Sequence, residues 1–135
     1  MSRFLSTKYS AGAFNFGMLV LRVVSGVLLM SHGYSKLARF NELQNVFMNF
    51  AGIGSTASLI LIIFAEFFCS IFLILGLFTR FACIPIIIGM NVVVFVANHG
   101  DVFGKAESGT MYLTAAIAIL FCGPGKISVD AMIGK

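Results

Sequence analysis

One stretch decides the fold class of the chain: Thr56–Phe78, TASLILIIFAEFFCSIFLILGLF, which contains a single charged residue, Glu66. This run is longer than the roughly 20 residues that an α-helix needs to cross a hydrocarbon core of about 30 Å. A bilayer offers no water to unpaired backbone groups, so an apolar run of this kind must be helical rather than extended. We therefore interpret Thr56–Phe78 as a transmembrane helix.

The composition of the whole chain extends this interpretation to a polytopic membrane protein. Of the 135 residues, 59% are hydrophobic and 10% are charged, and the mean hydropathy is +1.02. These values lie far outside the range of soluble globular domains. The nine basic residues are scattered and form no contiguous stripe that could follow a phosphate backbone. Soluble enzymes, disordered tails and nucleic-acid-binding domains are therefore excluded.

Four apolar runs predict an all-α integral membrane four-helix bundle that forms a single domain over residues 1–135. The predicted spans cover about residues 14–35, 56–78, 81–98 and 108–123, and a tail follows at residues 124–135. The fourth run is short for a hydrocarbon core, so it must borrow flanking polar residues or lie where the bilayer is thin.

The long connection between the first two spans predicts a further element. Leu43, Val46, Phe47 and Phe50 recur at helical spacing among polar residues, a pattern typical of an amphipathic helix. We expect a short helix at the membrane interface that ends at the glycines of residues 52 and 54. It either closes the bundle or acts as a lid over a cavity.

The distribution of lysine and arginine predicts the orientation. In a four-span protein the termini and the turn near residue 79 share one side, whose charges are Arg3, Lys8, Arg80, Lys126 and Lys135 against Asp130. The charges of the other side balance: Lys36, Arg39 and Lys105 against Glu42, Asp101 and Glu107. The positive-inside rule therefore predicts that both termini are cytoplasmic, and the net charge of +4 becomes a topology signal.

Arg22 and Glu66 are charged residues inside predicted spans, where a charge costs about 2.5 to 3.5 kcal/mol on insertion scales. Counting from the ends of the spans places them about 7 Å apart along the helix axes. An arginine side chain reaches that far, so we predict an ion pair between them. The pair either fixes the register of the two helices or recognises a polar headgroup or a quinone oxygen.

A helical projection of the first span places Arg22, His32 and Lys36 on one face. With polar residues of the second and third spans they form the predicted ligand-binding track: Arg22, His32, Lys36, Glu66, Asn91 and His99. We predict no catalytic residue. We also predict no metal site, because the histidines lack a ligand spacing such as H-x-x-x-H.

The cysteines of the chain indicate which kinds of sulfur chemistry its sequence disfavours. Cys69, Cys83 and Cys122 include no C-x-x-C pair, which argues against a disulfide framework and a dithiol redox centre. We interpret all three as small buried hydrophobic residues.

Several short motifs follow one another along the chain. They are, in order, Leu21-Arg22 with Gly26, the HGYSKL stretch at residues 32–37, Ala65-Glu66, the LGLFTR stretch at residues 75–80, Asn98-His99 and the GPGKISVD stretch at residues 123–130. Together they resemble the signature of the DoxX family. Their order and spacing span nearly the whole chain. The resemblance implies a small four-helix protein of the bacterial cytoplasmic membrane. It also implies an association with quinone-linked or oxidative-stress oxidoreductases, although proteins of similar fold act in receptor assembly or cargo export.

The resemblance and the polar track together predict a non-catalytic accessory subunit of an oxidoreductase complex that contacts a quinone or a lipid. The cofactor is unknown, with a quinone as the candidate, and the redox centre would belong to a soluble or membrane partner. The alternative is a membrane assembly or interaction factor without a redox role. A small transporter ranks lowest, because neither an inverted repeat nor a broken helix pair is visible. A homo-oligomer is compatible with the sequence, which leaves the oligomeric state open.

Overall fold

The computed structural model describes residues 5–47, 49 and 52–134, and every regular element in these ranges is helical. The elements are α1 (Ala11–Ala38), α2 (Phe40–Leu43), α3 (Ser55–Ile63), π1 (Phe64–Phe68), α4 (Cys69–Leu75), α5 (Thr79–Asn91), π2 (Val92–Ala97), α6 (Glu107–Cys122) and α7 (Val129–Met132). The π-helical segment π1 joins α3 to α4 without a break, and π2 extends α5. The predicted all-α membrane fold is confirmed.

Four helical rods pack into a closed bundle. α1 contacts the α3–π1–α4 rod and α6, and the α5–π2 rod contacts the other faces of both. Three rods are long and apolar enough to cross a membrane, namely Ala11–Ala38, Ser55–Leu75 and Thr79–Ala97, whereas α6 is a shorter apolar helix of 16 residues. Leu59, Leu73, Ile86 and Ile119 are fully buried where the rods meet. Large apolar side chains such as Phe81 and Phe121 point outward, as lipid contact requires.

Two glycines of α1 set its register against the α3–π1–α4 rod. A Cβ atom on Gly33 would lie 2.7 Å from the Phe67 nitrogen and 2.8 Å from the carbonyl carbon of Glu66. A Cβ on Gly26 would lie 2.7 Å from the Ile74 side chain. The missing side chains therefore let the two backbones approach closely, as small residues do in membrane helix packing.

The described chain ends and the α4–α5 turn meet at one end of the bundle, which we call the terminal end. The Lys126 backbone N–H donates to the Asn15 side chain at 2.9 Å, and that of Asp130 donates to the Gly76 carbonyl at 2.8 Å. The opposite connector end carries residues 39–47 and the loop at residues 98–106. The prediction that the termini and this turn share one side is confirmed for the described residues, while Arg3 and Lys135 lie outside them.

The predicted amphipathic helix is much shorter than expected. α2 contains only Phe40–Leu43, and turns follow at residues 44–46. The Gln44 carbonyl accepts hydrogen bonds from the hydroxyls of Ser55 at 2.7 Å and Thr56 at 3.0 Å, so side chains take the place of a further helical bond. Of the predicted apolar positions, Leu43 and Phe47 pack against the core, Val46 is exposed, and Phe50 lies outside the described residues.

Candidate ligand-binding site

A cavity of about 640 Å³ lies in the connector half of the bundle, where it is lined by α1, the α3–π1 and α5–π2 rods, α6 and residues 43–47. Most of its wall is apolar. The side chains that bring polar or titratable atoms to the wall are His32, Lys36, Ser58, Glu66, Ser108 and Tyr112. Its size and chemistry match those of small-molecule sites, which are concave, largely apolar and lined by a few polar groups.

Lys36 and Glu66 form an ion pair at this wall, which we call the polar anchor. The Lys36 ammonium lies 2.6 Å from the Glu66 carboxylate. The Glu66 side chain is 4% exposed, whereas that of Lys36 is 25% exposed. Lys36 stands in the last turn of α1 and brings its charge to a carboxylate inside the neighbouring rod. Such a charge-assisted hydrogen bond supplies the partner that a buried carboxylate needs.

The π1 segment determines where Glu66 points. A π-helical turn bonds residue i to i+5, so it shifts the faces of the helix relative to a regular α-helix. The buried hydroxyl of Ser70 donates to the Glu66 carbonyl, and Gly33 packs against the same peptide group. Both π segments line the cavity, π1 through residues such as Phe64 and π2 through residues such as Val93. Single π-helical turns are frequent at functional sites.

His32 and Tyr112 complete the polar side of the cavity. Their ring centroids lie 5.6 Å apart and their planes are inclined at 74°, an edge-to-face arrangement. Tyr112 also interacts electrostatically with Glu66. Sequence analysis selected His32 but missed Tyr112, Ser58 and Ser108, because hydroxyl residues near helix ends are common and carry no spacing signal.

Arg22 lies outside the cavity, in the terminal half of the bundle. It is fully buried, and its guanidinium donates to the Leu73 carbonyl at 3.1 Å and to the Ile127 carbonyl. Asp130 of α7 interacts with it electrostatically. Arg22 therefore binds the end of α4 to the C-terminal tail.

The predicted Arg22–Glu66 ion pair is wrong. The Glu66 peptide group packs against Gly33, which lies about 16 Å from Arg22 along α1 at about 1.5 Å per residue. That distance exceeds the reach of an arginine. The prediction counted from the apparent ends of the apolar runs, but the close contacts at Gly26 and Gly33 set a different register.

Asp130 has a structural role that sequence analysis did not assign. Its two carboxylate oxygens accept hydrogen bonds from the backbone N–H groups of Phe78 at 2.8 Å and Thr79 at 3.0 Å. Thr79 is the first residue of α5, so a side chain remote in sequence supplies the N-terminal cap of this helix. The GPGKISVD stretch marked Asp130 as part of a motif in the sequence, but only the fold shows which backbone groups this aspartate binds.

Asn91 and His99, the remaining predicted site residues, do not line the cavity. Asn91 is exposed and its side-chain amide donates to the Ile87 carbonyl at 2.9 Å. His99 is exposed in a turn with positive φ. Of the predicted track, the structure thus brings together His32, Lys36 and Glu66.

The sequence of this bundle matches that of a known protein family. The DoxX family matches residues 17–99, more than half of the chain. The chain belongs to the DoxX family. The matched region of this DoxX protein runs from within α1 to the end of π2 and its loop, and it contains the polar anchor. Tyr112 and the tail with Asp130 follow it.

A longer match relates this DoxX protein to a named relative. Over 125 residues it is 25% identical to a protein of Bacillus subtilis (strain 168) named "Putative oxidoreductase CatD", and the match covers 91% of each chain. No solved structure matches the DoxX protein.

The cysteines of the DoxX protein only partly follow the prediction. Cys69 and Cys83 are buried as expected, whereas Cys122 at the end of α6 is exposed. All three are free thiols. Within the described residues, three or more histidine, cysteine, aspartate or glutamate side chains nowhere gather into a group that could hold a metal ion.

Proposed function

We propose that this DoxX-family membrane protein is a non-catalytic accessory subunit of an oxidoreductase complex, in which it holds a quinone or a lipid. The cavity beside the polar anchor carries the proposal. A largely apolar cavity of about 640 Å³ with one ion pair on its wall suits an amphiphile, a molecule with an apolar body and a polar head group. His32 and Tyr112 would contact the same head.

The surroundings of the cavity indicate where such a ligand enters. Leu61, Phe64 and Ile88 line the cavity and are also exposed on the outer surface of the bundle. They lie in the middle parts of two apolar rods, where the outer surface faces lipid. A lipid-soluble molecule can therefore reach the polar anchor from the bilayer without passing through water.

Two observations support the non-catalytic role. Lys36 and Glu66 neutralise each other, and the side chains of Cys69 and Cys83 are buried in the hydrophobic core. The redox centre would then belong to a partner. The name of the Bacillus subtilis relative supports an oxidoreductase setting.

The same proposal includes a location and an orientation. We place the protein in the bacterial cytoplasmic membrane with α6 as its fourth span and the terminal end in the cytoplasm, an orientation that the distribution of basic residues supports. A reporter enzyme fused after Lys135 should be active only if it is a cytoplasmic reporter. Activity of a periplasmic reporter at this position would contradict the orientation.

Mass spectrometry of gently extracted protein tests the ligand. Wild-type protein should retain a quinone or a lipid in stoichiometric amount, whereas Gly89→Leu should lose it. Gly89 lines the cavity, and its nearest neighbour is the flexible end of Ile62, so a leucine there can fill the chamber. Gly17→Leu is the matched control, because Gly17 has open space around it and lies outside the cavity. Equal ligand content in all three proteins would contradict the proposal.

The alternative function, a membrane assembly or interaction factor without a redox role, has its own supporting observation. The tail exposes Ile127, Met132 and Ile133 close to Lys126 at the terminal end. This surface could dock a soluble protein. An empty cavity together with a stable partner that is lost in Met132→Asp would favour the alternative.

A further inference from the structure

The charge balance of the cavity limits the chemistry of its ligand. Among the described residues that line it, Lys36 and Glu66 are the two with a formal charge, and they lie 2.6 Å apart. These two formal charges cancel, so they leave the wall without a net formal charge. The cavity therefore offers polar contacts without a net electrostatic attraction for either sign of charge.

The buried arginine cannot change this balance. Arg22 lies in the other half of the bundle, where it binds the Leu73 and Ile127 carbonyls and interacts with Asp130. A further ion pair joins Arg39 to Glu42 at 3.2 Å, and both of its side chains are more than half exposed. Water screens that pair, so it contributes little to the field inside the cavity.

An anionic head group would lose hydration free energy in this site without gaining an unpaired positive charge as its partner. It would leave water for a largely apolar wall, and the nearest ammonium is already bound to Glu66. A cationic head would meet the same difficulty with the carboxylate. An uncharged hydroxyl or carbonyl group avoids it, because an ammonium has three donors and a carboxylate several acceptor sites, so both have capacity beyond their mutual bond.

We infer that the cavity selects amphiphiles with an uncharged head that carries hydroxyl or carbonyl oxygen, and that the Lys36–Glu66 pairing sets this selectivity. The inference rests on the proposed function, since it requires that the cavity holds an amphiphile. It accommodates a quinone-type ring or an uncharged lipid and excludes fatty-acid anions and phospholipid headgroups.

The test compares three probes of equal chain length: an alkylphenol, a fatty alcohol and a fatty-acid anion. Binding to the purified full-length protein in nanodiscs is measured by equilibrium partition, with Gly89→Leu as the background for lipid uptake. Wild-type protein should bind one or both uncharged probes at least about tenfold more tightly than the anion, which corresponds to about 1.4 kcal/mol. Preference for the phenol would point to a ring-bearing ligand, and preference for the alcohol to a lipid.

Glu66→Gln provides the decisive second arm. It keeps the shape of the side chain and frees the Lys36 charge, so binding of the anion should rise about tenfold and the preference should vanish or invert. Glu42→Gln is the matched control, because it removes the same charge from the exposed pair. It should leave all three affinities unchanged. If Glu66→Gln does not fold, Lys36→Gln replaces it: the unpaired Glu66 carboxylate should then weaken binding of the anion further, so the preference for the uncharged probes should widen.

The outcomes separate the inference from the proposed function. Wild-type protein that binds the anion as tightly as the uncharged probes would overturn the inference and leave the cavity as a ligand site. An unchanged preference in folded Glu66→Gln would do the same. Wild-type protein that binds no probe above the Gly89→Leu background would overturn the proposed function itself.

Discussion

The two halves of the bundle each bury a charged residue in an apolar rod, but they use it differently. In the terminal half, Arg22 is fully buried and its partners are two backbone carbonyls and Asp130. In the connector half, Glu66 is paired with a single lysine at the edge of a cavity. A charge enclosed by backbone holds elements together, whereas a charge pair that borders open space can also contact a ligand. The variants below test this contrast.

Removal of Arg22 should have the largest effect on stability. Arg22→Met leaves the Leu73 and Ile127 carbonyls without their donor and separates Asp130 from its guanidinium, so we expect a loss of about 3 to 5 kcal/mol in the free energy of unfolding. Unfolding in detergent, followed by circular dichroism, measures it. Arg39→Met, in the exposed pair, should cost at most about 1 kcal/mol. A variant of Arg22 that unfolds like the wild type but loses its ligand would contradict the structural role.

Removal of either member of the polar anchor should have unequal effects. Lys36→Met leaves a carboxylate buried, and we expect it to lower the free energy of unfolding by about 1.5 to 3 kcal/mol. Glu66→Gln should cost less, because the Lys36 side chain is 25% exposed, so its unpaired ammonium keeps more hydration than an unpaired Glu66 carboxylate would. Double-mutant analysis of chemical unfolding measures the coupling. A greater cost for Glu66→Gln than for Lys36→Met would mean that the lysine is held as tightly as the carboxylate.

The close contact at Gly33 should be the next most sensitive feature. Gly33→Ala places a methyl group against the backbone of Glu66 and Phe67, and the resulting shift of α1 should cost about 1 to 3 kcal/mol. Gly17→Ala on the same helix has open space and should instead gain about 0.5 to 1 kcal/mol from helix propensity. Thermal unfolding of both variants in one detergent measures the difference. Equal melting temperatures would show that the register of α1 does not depend on this contact.

The smallest effect is expected for the remote cap of α5. Asp130→Asn keeps one acceptor and loses the other, so the free energy of unfolding should fall by about 0.5 to 2 kcal/mol. Ligand content, measured by mass spectrometry, should not change, because Asp130 lies in the half of the bundle without the cavity. Asp101→Asn is the control, since the Asp101 carboxylate accepts a hydrogen bond from the backbone N–H of Lys105 in an exposed loop. Loss of ligand in Asp130→Asn would show that the two halves are coupled.

Polar residues inside apolar helices were easier to recognise in the sequence than their partners were. Arg22, Glu66, His32 and Lys36 stood out because charge and polarity inside an apolar helix are costly and therefore informative. The partners could not be predicted, because pairing depends on the relative height of two rods. Atomic contacts at Gly26 and Gly33 set that height.

The π segments are a second feature that the sequence did not predict. Both the α3–π1–α4 and the α5–π2 rods depart from regular α-helical geometry. Asn91, the last residue of α5, is exposed and does not line the cavity. Nothing in the local sequence FAEFF or VVVFVA predicts a π-helical turn.

The sequence alone determined that this chain is a helical membrane protein with a few costly polar groups, because composition and apolar run length depend on no tertiary contact, and its motifs resemble the DoxX family that the match over residues 17–99 shows. Tertiary structure alone decided that Arg22 binds the tail, that Lys36 pairs with Glu66, and that a cavity opens beside that pair. The physical reason is that a lone charge in an apolar helix demands some partner, and only the packing of whole helices determines which group lies within a few ångströms to provide it.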